Sequence, residues 1–114
     1  MFKNIKIRIV PCVGWTYEKN QPTQYSYDDK EIQVRSDYDI ENDPAGWLVH
    51  EKIHALYPRI EIEEYPDNPL EEIAFSEQFE YLKNKGYTFE EIFSIPTMET
   101  MLQYKDILKK WWKE

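Results

Sequence analysis

His50-Glu51-Lys52-Ile53-His54 spends both histidines of the 114-residue chain on one His-Glu-x-x-His motif. On a helix, residues four apart stack on one face, so the two imidazoles can grip one metal ion while the carboxylate between them reaches the ion's open side. Two ligands and a general base in this order are the pattern of zinc-dependent peptide hydrolysis. Zinc in such a site polarises the scissile carbonyl and brings the pKa of a water down from about 15.7 toward about 7. Glu51 would take the proton and pass it to the leaving amine.

A catalytic zinc normally has three protein ligands and one open position. No histidine remains after His50 and His54, so the third ligand must be a carboxylate or Cys12. Cys12 is far upstream beside Pro11, and a thiolate with two histidines is an uncommon set for a peptidase. Acids are plentiful downstream. Glu61, Glu63 and Glu64 fall in a connector, whereas Glu71 shares a helical stripe with Phe75, Gln78 and Leu82, beside Ala74 and Tyr81. A carboxylate on an apolar stripe needs a partner, and zinc would be one. Small Ala74 lets that helix lie close to the motif helix. Glu72 turns toward Phe79, and Glu77, near Leu70 and Ile73, is the second choice for the ligand.

The elements that must position these residues change character near residue 43, with strands before it and helices after. Ile5, Ile7 and Ile9 alternate with Lys6 and Arg8, the period of a half-buried strand that ends at Pro11. Residues 24–27 and 31–35 flank a turn at Asp28-Asp29-Lys30, with Ile32 and Val34 facing inward, and residues 13–19 offer a further strand. Strand 31–35, just before the motif helix, is the natural edge for an extended peptide to join. Asp43-Pro44 predicts an N-cap and first helical residue, opening a mostly buried helix to about Tyr57 with one polar seam of His50, Glu51 and His54. Asn68-Pro69 and Gly86 bracket a second helix over 69–85, Thr88-Phe89-Glu90-Glu91 forms a capping box, and Met98 to Trp112 reads as a last amphipathic segment. The expected fold is α+β, a single domain over 1–114, with an antiparallel or mixed sheet of about three strands followed by four helices.

His50-Glu51-Lys52-Ile53-His54 followed by Glu71-Glu72-Ile73-Ala74, with 71 − 54 = 17 between second histidine and glutamate, resembles the gluzincin metallopeptidases. The short chain, small sheet and helical second half look most like the minigluzincins, minimal soluble zincin-like members of that tribe. The resemblance implies one Zn2+ per chain on His50, His54 and Glu71, with Glu51 as base. It also implies a latent form in which the C-terminal segment, 97–114, obstructs the cleft. One departure stands out: many gluzincins carry Asp four residues after the ligand Glu, and this chain has Phe75. The group that orients a histidine must come from elsewhere. An oxyanion-stabilising role is open to Arg59, Tyr65, Tyr81 or Tyr104.

Composition bounds the alternatives. The net charge of −8, with basic residues scattered, argues against nucleic acid or an anionic membrane as partner and leaves a peptide or protein substrate. The N-terminal alternation does not read as a signal peptide, and no apolar run reaches the roughly 18 residues of a membrane span. One cysteine excludes an intrachain disulfide and fits a cytoplasmic setting. Met98, Met101, Leu102, Ile107, Leu108, Trp111 and Trp112 make an apolar terminus that must be covered. Three covers are open: the chain's own core, the cleft as a latency segment, or a second subunit through exchange of the C-terminal helix to form a homodimer. Against an active peptidase stands a non-catalytic zinc-binding regulatory or interaction module, which would keep the ligands and dispense with Glu51.

Overall fold

The alternating isoleucines form strand β1 (Lys6–Val10) in the computed structural model, which describes residues 5–15, 21–57 and 69–112. A 3-10 turn at Cys12–Gly14 follows in place of the start of a further strand, and residues 16–20 lie outside the described residues. Strands β2 (Thr23–Ser26) and β3 (Glu31–Arg35) form the expected hairpin. The sheet is mixed, in the order β1-β3-β2: β3 runs antiparallel to β2 and parallel to β1, with Ile7 opposite Ile32 and Ile9 opposite Val34.

That order corrects two expectations. Strand 31–35 is central, so its backbone is paired on both sides and is no edge for a peptide; the outer strands are β1 and β2. The inward face read on β1 is also largely uncovered, with Ile7 44 % and Ile9 57 % exposed and Val10 the buried residue. The reason is placement: the motif helix α1 (Trp47–Leu56) packs against β2 and β3, where Leu48 closes over Ile32 and Val34.

Helix α1 begins three residues later than Asp43-Pro44 predicts. Asp43 and Gly46 both have positive φ, 43° and 76°, so the chain turns before the helix starts at Trp47. Asp43 still caps, by reaching forward: its carboxylate accepts from the amides of Leu48 at 3.1 Å and Val49 at 3.4 Å. The Tyr38 hydroxyl donates to Asp43 and accepts from the Ala45 amide. Burial and the neighbouring Asp43 charge push its pKa far up, so it stays a donor. A Cβ on Gly46 would meet Gln78 Cγ at 2.9 Å, so glycine here serves both the left-handed φ and the close approach of the next helix. The wheel expectation also needs amending: His50 and Glu51 of the polar seam are buried, while Leu56 and Tyr57 are exposed.

Helix α2 (Pro69–Asn84) ends at Gly86, whose φ is 103°, one residue short of the expected 85; Asn68 lies outside the described residues. Helix α3 (Phe89–Ile92) opens on a complete capping box, in which the Thr88 hydroxyl accepts from the Glu91 amide and the Glu91 carboxylate from the Thr88 amide. The last segment is not one helix. Thr97 has φ 77°, residues Glu99–Tyr104 form a 3-10 turn, and α4 (Lys105–Trp111) follows. The architecture is α+β, a three-stranded mixed sheet followed by helices. No helix among the described residues is long and apolar enough to cross a membrane.

Most of the apolar tail packs on the chain's own core, while Leu102 is exposed. Trp111 stacks on Phe75 with ring centroids 5.8 Å apart, and Trp112 lies 5.7 Å from both Phe79 and Phe89. Met98, Met101 and Leu108 complete the same cluster with Trp47, and the Trp47 indole donates to the Thr97 hydroxyl at 2.8 Å. Removing a buried tryptophan leaves a large cavity. Trp111→Ala is therefore expected to cost about 3 kcal/mol or more in urea unfolding. A loss below about 1 kcal/mol, the scale of a surface change, would contradict this placement.

Candidate metal centre

Helices α1 and α2 pack closely around Ile53, Leu70 and Ala74, and Ala74 has no exposed surface. The small side chain brings the first turn of α2 onto the histidine face of α1. There Glu71 Oε1 lies 2.9 Å from His50 Nε2 and 3.1 Å from His54 Nε2. The three residues thus present one donor atom each, all within 4.8 Å of one another.

This set fits zinc. Zinc takes imidazole nitrogen and carboxylate oxygen at about 2.0–2.2 Å, which puts neighbouring donors of a tetrahedral site about 3.3 Å apart. The distances of Glu71 Oε1 to the two imidazoles are a few tenths of an ångström from that value. Glu72 and Glu77 are exposed and stand outside the cluster, as does Cys12, whose Sγ lies 3.6 Å from the Ser36 hydroxyl. Of the third-ligand candidates among the described residues, Glu71 alone reaches the histidines.

Each imidazole is also held from behind. His50 Nδ1 lies 3.0 Å from Gln78 Oε1, and His54 Nδ1 lies 3.0 Å from the Tyr27 hydroxyl in the β2–β3 turn. Phe75 packs edge-on to the His50 ring at 4.5 Å, and Trp47 does so at 5.3 Å. Glu51 is 2 % exposed, and its Oε2 accepts from the Thr23 hydroxyl at 2.9 Å and the Gln21 amide at 3.3 Å. The intended base is thereby fixed to the segment that leads into β2.

Gln78 had a signal in the sequence, its place on the Glu71 stripe, where a buried amide needs a partner as much as a carboxylate does. Tyr27, Thr23 and Gln21 had none, because they arrive from the sheet by tertiary packing. Among the oxyanion candidates, the Tyr81 hydroxyl is used on the Asn42 carbonyl at 2.8 Å, and Arg59 and Tyr65 lie outside the described residues. No family model, curated protein or solved structure matches the chain.

The electrostatics follow from burial working against pairing. Burial alone would raise the Glu71 pKa, but hydrogen bonds and charge from His50 and then His54 pull it down to about 2. Burial lowers the His50 pKa, yet the bond and charge of Glu71, the Glu51 charge and the Gln78 bond together leave it above its ordinary value. Without metal, the Glu71 contribution is present above its ordinary 4.5 and is lost as pH falls toward 2. The His50 contribution is present below its ordinary 6.5 and is lost as pH rises through the raised folded value. Both act between pH 4.5 and 6.5. Chelator-treated protein should therefore show its highest Tm in that window, and Glu71→Gln should flatten the maximum. A Tm that climbs steadily above that window would contradict the pairing.

Proposed function

We propose that this protein is a zinc-dependent metallopeptidase of gluzincin type, with His50, His54 and Glu71 as ligands and Glu51 as general base. The observation that carries the reading is the convergence of three donor atoms from two helices on one point, beside the one buried carboxylate of the motif. Zinc held there would supply Lewis acidity, polarising a carbonyl and making a water acidic near neutral pH. The rest of the task falls to the chain. Glu51 receives the water's proton and returns it to the leaving nitrogen. Thr23 and Gln21 hold its carboxylate away from bulk solvent until then.

An extended peptide would add to β2, whose pairing among the described residues is with β3 alone and which lies against α1. Peptide or protein is the substrate class we infer, in a cytoplasmic setting that suits an unpaired Cys12. The net charge of −8 favours neither nucleic acid nor an anionic membrane. Packing of Trp111 and Trp112 in the core supports a structural part for 97–114, beside the latency and helix exchange expected of that segment.

A second reading, a non-catalytic zinc-binding module, is favoured by one feature: Glu51 Oε2 already accepts two hydrogen bonds. Glu51→Gln separates the two readings. The wild type should retain about one zinc per chain after dialysis and cleave a casein or peptide library. The Glu51→Gln variant should keep the zinc and lose at least about a hundredfold in cleavage, the scale of general-base catalysis. Zinc in both proteins with cleavage by neither would favour the module. No zinc in the wild type would sink both.

A further inference from the structure

Gln78 is fully buried in the middle of α2, two turns beyond Glu71, and its side chain touches three separate parts of the fold. Its amide nitrogen donates to the Ala45 carbonyl at 2.7 Å and to Met98 Sδ at 3.4 Å, and its oxygen faces His50 Nδ1 at 3.0 Å. The Ala45 carbonyl can only accept, so the nitrogen must be the atom that points to it. That leaves Oε1, an acceptor without a proton, against the ring. Both ring nitrogens thus face acceptors, Gln78 Oε1 at Nδ1 and Glu71 Oε1 at Nε2, and without metal each can carry a hydrogen. A metal ion between His50 and Glu71 would replace the hydrogen on Nε2 and leave the one on Nδ1 with Gln78.

We propose that Gln78 is the positioning residue of the site: its Oε1 holds the Nδ1–H of His50 and so turns Nε2, the nitrogen that would take a metal, to the point where His54 and Glu71 converge. The inference rests on the reading of His50 as a metal ligand. The rigidity comes from both sides of the amide. Ala45 belongs to the turn that launches α1, held by Tyr38 through its amide at 3.1 Å, and Met98 belongs to the segment that leads into the tail. One helix therefore grips one imidazole at both nitrogens, with Glu71 and Gln78 seven residues apart and Phe75 against the ring between them. Seven residues make about two turns on the same face, which is why one helix can do this. Phe75 supplies the apolar wall, and the polar contact is displaced one turn along.

The test has a spectroscopic arm that does not depend on activity. Long-range proton–nitrogen NMR of the zinc-loaded wild type should find zinc on His50 Nε2 and a slowly exchanging proton on Nδ1. Zinc on Nδ1 would overturn the proposal. Gln78→Met keeps volume and removes the acceptor. It should speed exchange of the Nδ1 proton and weaken zinc, titrated against a chromophoric chelator, by about 10–100-fold, the usual effect of losing a group that orients a ligand. Unchanged affinity in a folded Gln78→Met protein would also overturn it. If Gln78→Met does not fold, the nitrogen that zinc takes in the wild type decides. A wild type that takes up no zinc would refute the metal reading on which the proposal rests.

Discussion

An imidazole with 1 % of its surface exposed must have both ring nitrogens answered, because a buried polar atom without a partner costs on the order of 1–3 kcal/mol. His50 meets that demand with groups from a single neighbouring helix, Glu71 on one nitrogen and Gln78 on the other. Much of the structure follows from keeping those two contacts. Helix α2 must lie close enough to reach, which requires Ala74 at the crossing and Gly46 where a Cβ would strike Gln78. The start of α1 must be fixed, which Asp43 and Tyr38 do through the amides of Ala45, Leu48 and Val49. Among the described residues no fully buried side-chain nitrogen or oxygen lacks a hydrogen-bond partner.

The sheet and the tail support the same point from opposite sides. From the sheet come Thr23 and Gln21 for Glu51 and Tyr27 for His54, so each motif residue that bears on chemistry has a partner outside its own helix. From the tail, Trp111 stacks on Phe75, and Phe75 packs on the His50 ring, an apolar relay from α4 to that imidazole. A close-packed relay of this kind transmits displacement, since side chains at native density have little room to adjust. Trp111 thus bears on the placement of the His50 ring.

What could be read from the sequence was what depends on spacing along one element. The motif helix, the Glu71 stripe, the Thr88 capping box and the helix stop before Gly86 are all local patterns, and each forms within three residues of where the pattern puts it. The misplacements have tertiary causes. Asp43 looked like an adjacent cap because its reach to the amides of Leu48 and Val49 depends on two positive φ values that proline and glycine spacing alone does not specify. Ile7 and Ile9 looked inward-facing because alternation identifies a face and says nothing about whether a helix covers it. Strand 31–35 looked like an edge because sequence order is not sheet order. The orienting groups were the hardest to see: Tyr27 sits in a turn and Thr23 in a strand, and nothing in their neighbours points toward a histidine 27 residues away or a glutamate 28 residues away.

The central claim is that these two helices build a His-His-Glu centre for zinc. X-ray absorption at the zinc edge of the loaded protein addresses it most directly, since it reads ligand type and distance without reference to activity. The account predicts a first shell of nitrogen and oxygen only, at about 2.0–2.1 Å, with the outer-shell scattering of two imidazoles. Sulfur at about 2.3 Å, which would require Cys12, or a shell without imidazole scattering, would contradict it.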